Sequence, residues 1–209
     1  MDGSFTLLER LADRLCHDFA SSAQAVASGL DLLQEASSPS EREEAEAFLA
    51  EAVAAQKAKI AFARRAYGPT QTAPDVDELE KLVAALYSDA RPEFDWRVKG
   101  SALGPMAGRG LLILAHLGVD ILAVGGLARM SVRDEGSSEI VELDAEGPRP
   151  LLRDEVRAGL TGAANEGGLG GRWAQGAFVR SLAIAAGGEI GVEERPKGVR
   201  VWLSLPKAA

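Results

Sequence analysis

Two apolar stripes of helical period, joined by the short polar segment "EASSPS", fill the first third of the chain and constrain what the rest can do. Over residues 5–34, Leu8, Leu11, Leu15, Phe19, Val26, Leu30 and Leu33 recur at spacings that place them on one helix face. A second helix is expected to open at "SEREE", where Ser40 and Glu43 match a capping box behind Pro39, and to run to about residue 67. Its apolar side reads Phe48, Leu49, Ala52, Val53, Ile60 and Ala63, and Gly68-Pro69 ends it. Two long helices with a tight polar turn form a hairpin, and a lone hairpin buries too little to stand by itself. The simplest completion is a homodimer whose two hairpins make a four-helix bundle, with Leu8, Leu11, Leu15, Phe19, Val26 and Leu30 in its core.

After residue 69 the texture changes. Residues 1–69 are read as the dimerising hairpin, and residues 70–209 as a second domain entered through "GPTQTAPD". In that half, "DVDELEKLVAALYSD" is a helix and "FDWRV" a short strand. "GPMAGRGLLILAHLGVDILAVGG" is an apolar helix closed by glycines, and "ARMSVRDE" with "SEIVELDAE" are paired strands. The helices "PLLRDEVRAGL" and "WAQGAFVRSLAIAAGG" flank the loop "TGAANEGGLGGR". The hairpin "EIGVEER"/"VRVWLSLP" turns at residues 196–198. This alternation predicts an α/β sandwich, a mixed sheet with helices on one face, so the fold class is α+β overall.

Composition limits function. The net charge is −8 and there is no basic stripe, which argues against nucleic acid as a partner. No apolar run reaches the roughly 18 residues of a membrane span, and the start of the sequence has no signal-peptide pattern. A single cysteine, Cys16, fits a reducing compartment, so a cytoplasmic location is expected.

The chain has two histidines. His116 lies in "LLILAHLGVD", where a packing role is expected. His17 is different. At about 100° per residue it lies about 175° from the centre of the first apolar stripe, beside Arg10, Arg14, Ser21, Gln24 and Ser28. It is therefore expected to be exposed. Exposure alone assigns no role. A metal site would need further ligands at suitable spacing, and Cys16 cannot pair with His17, because adjacent helical residues do not face each other. Asp18, toward the flank of the stripe, can accept a hydrogen bond from one imidazole nitrogen.

"RLCHDFASSAQAVASGLDLL" resembles the phosphoacceptor box of the dimeric histidine-kinase superfamily: His, an acid, an apolar residue, then a helix ending in Leu-Leu. "FVRSLAIAAGGEIGVEERPKGVRVWLSLP" resembles the last helix and hairpin of the kinase ATPase domain. The two signals lie in the right order and, with the helices between them, cover nearly the whole chain. The departures narrow the resemblance. "GRGLLILAHLGVDIL" has no asparagine where a kinase coordinates magnesium and phosphate. Asp144-Ala145-Glu146-Gly147-Pro148 keeps an aspartate but loses the Asp-x-Gly-x-Gly spacing. Trp173-Ala174-Gln175 replaces Gly-x-Gly, and a bulky residue there is a poor phosphate cradle. "GGLGG" (167–171) is a weak phosphate-loop signal that reads more simply as a loop. Ser22 stands where the family often has proline.

A phosphoacceptor hairpin joined to a degenerate ATPase-like (Bergerat/GHKL) α/β sandwich resembles the ChpT-type histidine phosphotransferases. The resemblance implies that a dimer accepts a phosphoryl group on His17 from the receiver domain of a hybrid histidine kinase. It then passes the group to response-regulator aspartates. The resemblance also implies no cofactor on the chain itself, with magnesium on the receiver. Asp18 would fix the imidazole tautomer. Arg10, Arg14, Ala20, Ser21 and Gln24 would meet the receiver. Two other readings stay open: a divergent ATP-dependent sensor kinase, and a non-catalytic adaptor that docks receiver domains.

Overall fold

A computed structural model describes residues 3–69, 72–88, 90–99, 103–163 and 170–207 of the chain. Helices α1 (Gly3–Glu35) and α2 (Pro39–Tyr67) form the expected hairpin. Their seam is made of small residues. A Cβ on Gly29 would stand 3.1 Å from the Leu49 backbone, and Ala45 and Ala52 are buried beside it. Helix α2 begins two residues earlier than the sequence suggested. Ser38, not Ser40, is the N-cap, its side chain accepts from Glu41 N, Glu41 reaches back to the cap, and Pro39 fills the first turn. Both "SPSE" and "SERE" fit the capping pattern by spacing. Pro39 decides between them, because its fixed φ and missing N–H suit a first helical position.

Past the hairpin come α3 (Val76–Leu86), β1 (Pro92–Trp96), α4 (Pro105–Ile121), β2 (Gly126–Asp134), β3 (Ser138–Glu146), α5 (Asp154–Thr161), α6 (Gly171–Ala185), β4 (Glu189–Arg195) and β5 (Gly198–Pro206). The strands form one mixed sheet in the order β1-β2-β3-β5-β4, with β1 and β2 parallel and the other pairs antiparallel. Parallel pairing of β1 and β2 needs a crossover, which α4 supplies.

Period-two alternation divides the sheet into two faces. Met130, Val141, Leu143, Val201 and Leu203 point into the core, against α4. On that helix Leu111, Leu112, Ile113, Leu114 and Leu117 are all fully buried. The opposite face meets water and is held by charge. Asp95, Arg129, Asp144, Arg200 and Glu193 stand in register across all five strands, alternating in sign. Arg129 reaches Asp95 at 3.3 Å and Asp144 at 3.4 Å, while Arg200 bridges Glu142 at 2.5 Å and Arg195 pairs with Asp144. Such cross-strand pairs each contribute a few tenths to about 1 kcal/mol, and like charges side by side would cost as much.

The hairpin is tied down at the end of α2. Arg109 of α4 donates from Nε to Ala66 O (3.1 Å) and from Nη2 to Tyr67 O (3.5 Å), and lies 5.5 Å over the Phe178 ring. A cation on the last carbonyls of a helix satisfies acceptors that have no partner inside the helix. Phe62 and Ala66 of α2 enter the same core cluster as α3 and α4. Among the described residues, no helix is long and apolar enough to cross a membrane.

Candidate functional site

Helix α1 turns His17 outward. Its side chain is 80% exposed, and Arg10, Ala20, Ser21 and Gln24 are exposed with it. The helical period places these residues correctly because direction along a regular helix depends only on residue number. Ser22, in place of the family's proline, is buried. Its hydroxyl bonds the carbonyls of Asp18 and Phe19 (both 3.2 Å) and the side chain of Gln56 on α2. The helix runs unbroken from Gly3 to Glu35, and this turn is fastened to the second helix instead of being interrupted.

Asp18 sits between two partners. Oδ1 lies 3.4 Å from His17 Nδ1, and Oδ2 accepts from Arg14 Nε at 3.0 Å. A carboxylate can only accept, so the His17 contact places the proton on Nδ1 and leaves the lone pair on Nε2, pointing to solvent.

Arg14 departs from expectation. It does not stand free on the His17 surface but turns toward the α/β half. Its Nη2 lies 3.3 Å from His116 Nε2, and Gln175 Nε2 lies 2.7 Å from the same atom. Burial works against the Arg14 charge, but the hydrogen bond and charge of Asp18 outweigh it and hold the guanidinium above its ordinary range. His116 is thus more than a packing residue. Its ring lies about 6 Å from Phe62 and Tyr87, and its Nε2 is an acceptor on which α1 and α6 converge. Burial pushes His116 down, toward the neutral ring that this acceptor role requires. Gln175 is only 1% exposed, and the sequence carries no signal for it beyond the lost glycine at that position.

Leu11, Leu15 and Phe19, expected in a dimer seam, face this region instead. With Phe62, Tyr87, His116 and Gln175 they line a cavity of about 270 Å³ between the hairpin and the α/β half. Leu8 and Leu30, from the same stripe, are 66% and 45% exposed, and Val26 is half-buried. The stripe is wide enough to serve two faces, a distinction that a single apolar period does not carry. Tyr67 and Tyr87 border the cavity, and burial raises both phenols, Tyr67 to about 12.

His17 also borders an open cleft of about 460 Å³, lined by Asp13, Arg14, Asp18, Glu155 and the first residues of α6. Arg172 there pairs with Glu155 at 3.6 Å.

The stretches that depart from the kinase nucleotide motifs in sequence take other places in the fold. Asp144, which the sequence resemblance sets against the adenine motif, lies on the water side of the sheet, paired with Arg129 and Arg195. The α4 face toward the sheet is entirely apolar. Helices α5 and α6 touch backbone to backbone: a Cβ on Gly159 would stand 2.4 Å from Trp173 O, and one on Gly176 2.7 Å from Val156 O. Most of the "GGLGG" loop, residues 167–169, lies outside the described residues. Among the described residues, no group of three or more His, Cys, Asp or Glu can hold a metal ion.

Known proteins share the family and the fold of this chain. A family model, histidine phosphotransferase C-terminal domain, matches residues 76–198. The protein phosphotransferase ChpT of Brucella abortus (strain 2308) is 29% identical over 130 residues, covering 61% of this chain and 60% of that protein's length. A solved bacterial phosphotransferase superposes with a TM-score of 0.83 at 22% identity, covering 97% of this chain and 98% of the other. Acinetobacter baumannii histidine kinase AdeS superposes at 0.50 with 11% identity, covering 92% and 98% of the two chains. The catalytic domain of histidine kinase ThkA gives 0.50 at 17% identity, over 66% of this chain and 98% of the other. At these identities the structural likeness shows the fold: a helical N-terminal region followed by a kinase-type α/β sheet.

Proposed function

The chain belongs to the histidine phosphotransferase family, and from that premise we propose that His17 is the phosphoryl carrier of a relay. It is charged by the aspartyl phosphate of a kinase receiver domain and discharged onto response-regulator aspartates. The observation that carries the reading is the pairing of an 80% exposed imidazole with Asp18 at its Nδ1. In the first transfer, Nε2 attacks phosphorus in line. The Nε2–P bond forms as the P–O bond to the receiver aspartate breaks, and that aspartate leaves as a carboxylate. The Nδ1 proton stays on the ring, and Asp18 stabilises the positive charge that develops there. The second transfer reverses these bond changes on another receiver. Such transfers depend on positioning and charge more than on covalent assistance. Magnesium belongs to the receiver in this scheme. The exposed neighbours Arg10, Ala20, Ser21 and Gln24 give the receiver a low surface on which to dock.

The same reading makes the chain a cytoplasmic homodimer that neither binds ATP nor phosphorylates itself. The outward position of Asp144 and the close approach of α5 and α6 support the loss of ATP binding. Exposed Phe5, Leu8, Leu30, Leu32, Phe48 and Ile60 on the hairpin support a second copy. The test is to mix the chain with a phosphorylated receiver domain and follow the label. Wild type should take the label in acid-labile, base-stable form, and His17→Ala should take none. Equal labelling of both would overturn the assignment of His17.

A further inference from the structure

A line of contacts joins the core of the α/β half to the ring of His17. Gln175 Nε2 lies 2.7 Å from His116 Nε2, and Arg14 Nη2 lies 3.3 Å from the same atom. Arg14 Nε donates to Asp18 Oδ2 at 3.0 Å, and Asp18 Oδ1 faces His17 Nδ1 at 3.4 Å. Each member has a fixed sense. A guanidinium only donates, so His116 Nε2 must hold a lone pair and its Nδ1 the proton. Asp18 only accepts, so His17 must offer Nδ1–H. The three helices involved, α1, α4 and α6, each contribute one side of the junction.

Two contrasts give the line its meaning. His17 is solvated, and an exposed imidazole on a helix surface has no intrinsic reason to prefer the tautomer with a free Nε2. Asp18 is i+1 to it and on its own would sweep several rotamers. Arg14, i−4 to Asp18, could hold that carboxylate, but a free surface pair of this kind is weak. What distinguishes this pair is that the far end of the guanidinium is held inside the protein, where its side chain is only 21% exposed.

We propose that Arg14 is a positioning residue: the α/β half, through His116 and Gln175, grips Arg14, which orients Asp18 and so fixes the reactive nitrogen of His17. This inference rests on the phosphoacceptor reading of His17 and adds to it a task for the degenerate half of the molecule. That half acts on the histidine by holding its helix and its neighbouring carboxylate, with no nucleotide involved.

The test uses variants of the full chain. His116→Leu keeps the volume and removes the acceptor, and His116→Gln restores an acceptor oxygen. Arg14→Met keeps the stem and removes the fork. The first readout is the tautomer of His17 by long-range ¹H–¹⁵N NMR at mildly alkaline pH. Wild type should show the Nδ1–H form. His116→Leu and Arg14→Met should both shift His17 toward the Nε2–H form, and His116→Gln should shift it back. The second readout is transfer from a phosphorylated receiver. His116→Leu should slow the transfer step roughly tenfold, the scale of a small misplacement, without weakening receiver binding, because His116 lies beneath the docking surface. Amide spectra of the sheet identify any variant that fails to fold, and Gln175→Leu then replaces it. An unchanged His17 tautomer in a folded His116→Leu protein would overturn the proposal. A tautomer that follows His116 in a protein whose wild type accepts no label would support the positioning line and overturn the phosphotransfer reading instead.

Discussion

At the residue scale, one backbone rule and one tertiary accident meet at the site. The outward direction of His17 was legible because helical geometry fixes it from residue number alone. The partners of Arg14 were not, because His116 lies 102 positions away and Gln175 another 59 beyond that. No local pattern reports which α/β side chains will face a given turn of α1. The buried histidine has a measurable consequence. Its folded-state pKa is lowered by burial, so on acidification the unfolded chain takes the proton first. Stability is therefore full above the unfolded value of about 6.5 and falls as pH drops below it toward the folded pKa. Urea midpoints recorded between roughly pH 7.5 and 5 should decline for wild type and decline less for His116→Gln. Parallel curves would show that His116 does not carry the effect.

At the element scale, the type and order of helices and strands were legible because each carries its own period and its own stops. Boundaries were less so. Ser38 and Ser40 both stand three residues before a glutamate, and only the placement of Pro39 separates them. Ser38→Ala should therefore cost about 1 kcal/mol, the usual scale of a lost N-cap, while Ser40→Ala should leave the thermal midpoint nearly unchanged. The reverse ranking would return the cap to Ser40. The contact between α5 and α6 is a second element-scale feature that sequence concealed, since two glycines seventeen positions apart do not announce that they face each other. A side chain at Gly159 must displace the Trp173 carbonyl. Gly159→Val should lower stability by roughly 1–3 kcal/mol in denaturant titration, the range for overpacking a tight site. No loss would mean that the two helices do not meet as described. Charge matching across strands was equally hidden. Asp144 reads as a nucleotide residue in sequence and stands in an ion-pair row in the sheet.

At the scale of the whole molecule, the hairpin has two apolar faces with different fates. Leu11 and Phe62 lie against the chain's own α/β half, whereas Leu8, Leu30 and Phe48 face outward. A single stripe in the sequence does not say which leucines serve which neighbour, because one apolar period fits a dimer seam and an intramolecular face equally well. The two faces separate by mutation. Leu8→Asp with Leu30→Asp should give a folded monomer in analytical ultracentrifugation, with wild-type circular dichroism. Phe62→Ala should keep the dimer but lose about 3–5 kcal/mol of stability. A wild type that stays monomeric at micromolar concentration would remove the bundle.

In the proposed relay this molecule is charged by another protein and not by a nucleotide. The most direct test is a single labelling experiment in which the wild-type chain meets γ-labelled ATP with magnesium in one tube and a labelled phosphorylated receiver in another. The proposed relay places label on His17 only in the second. Label on His17 from ATP alone would contradict it.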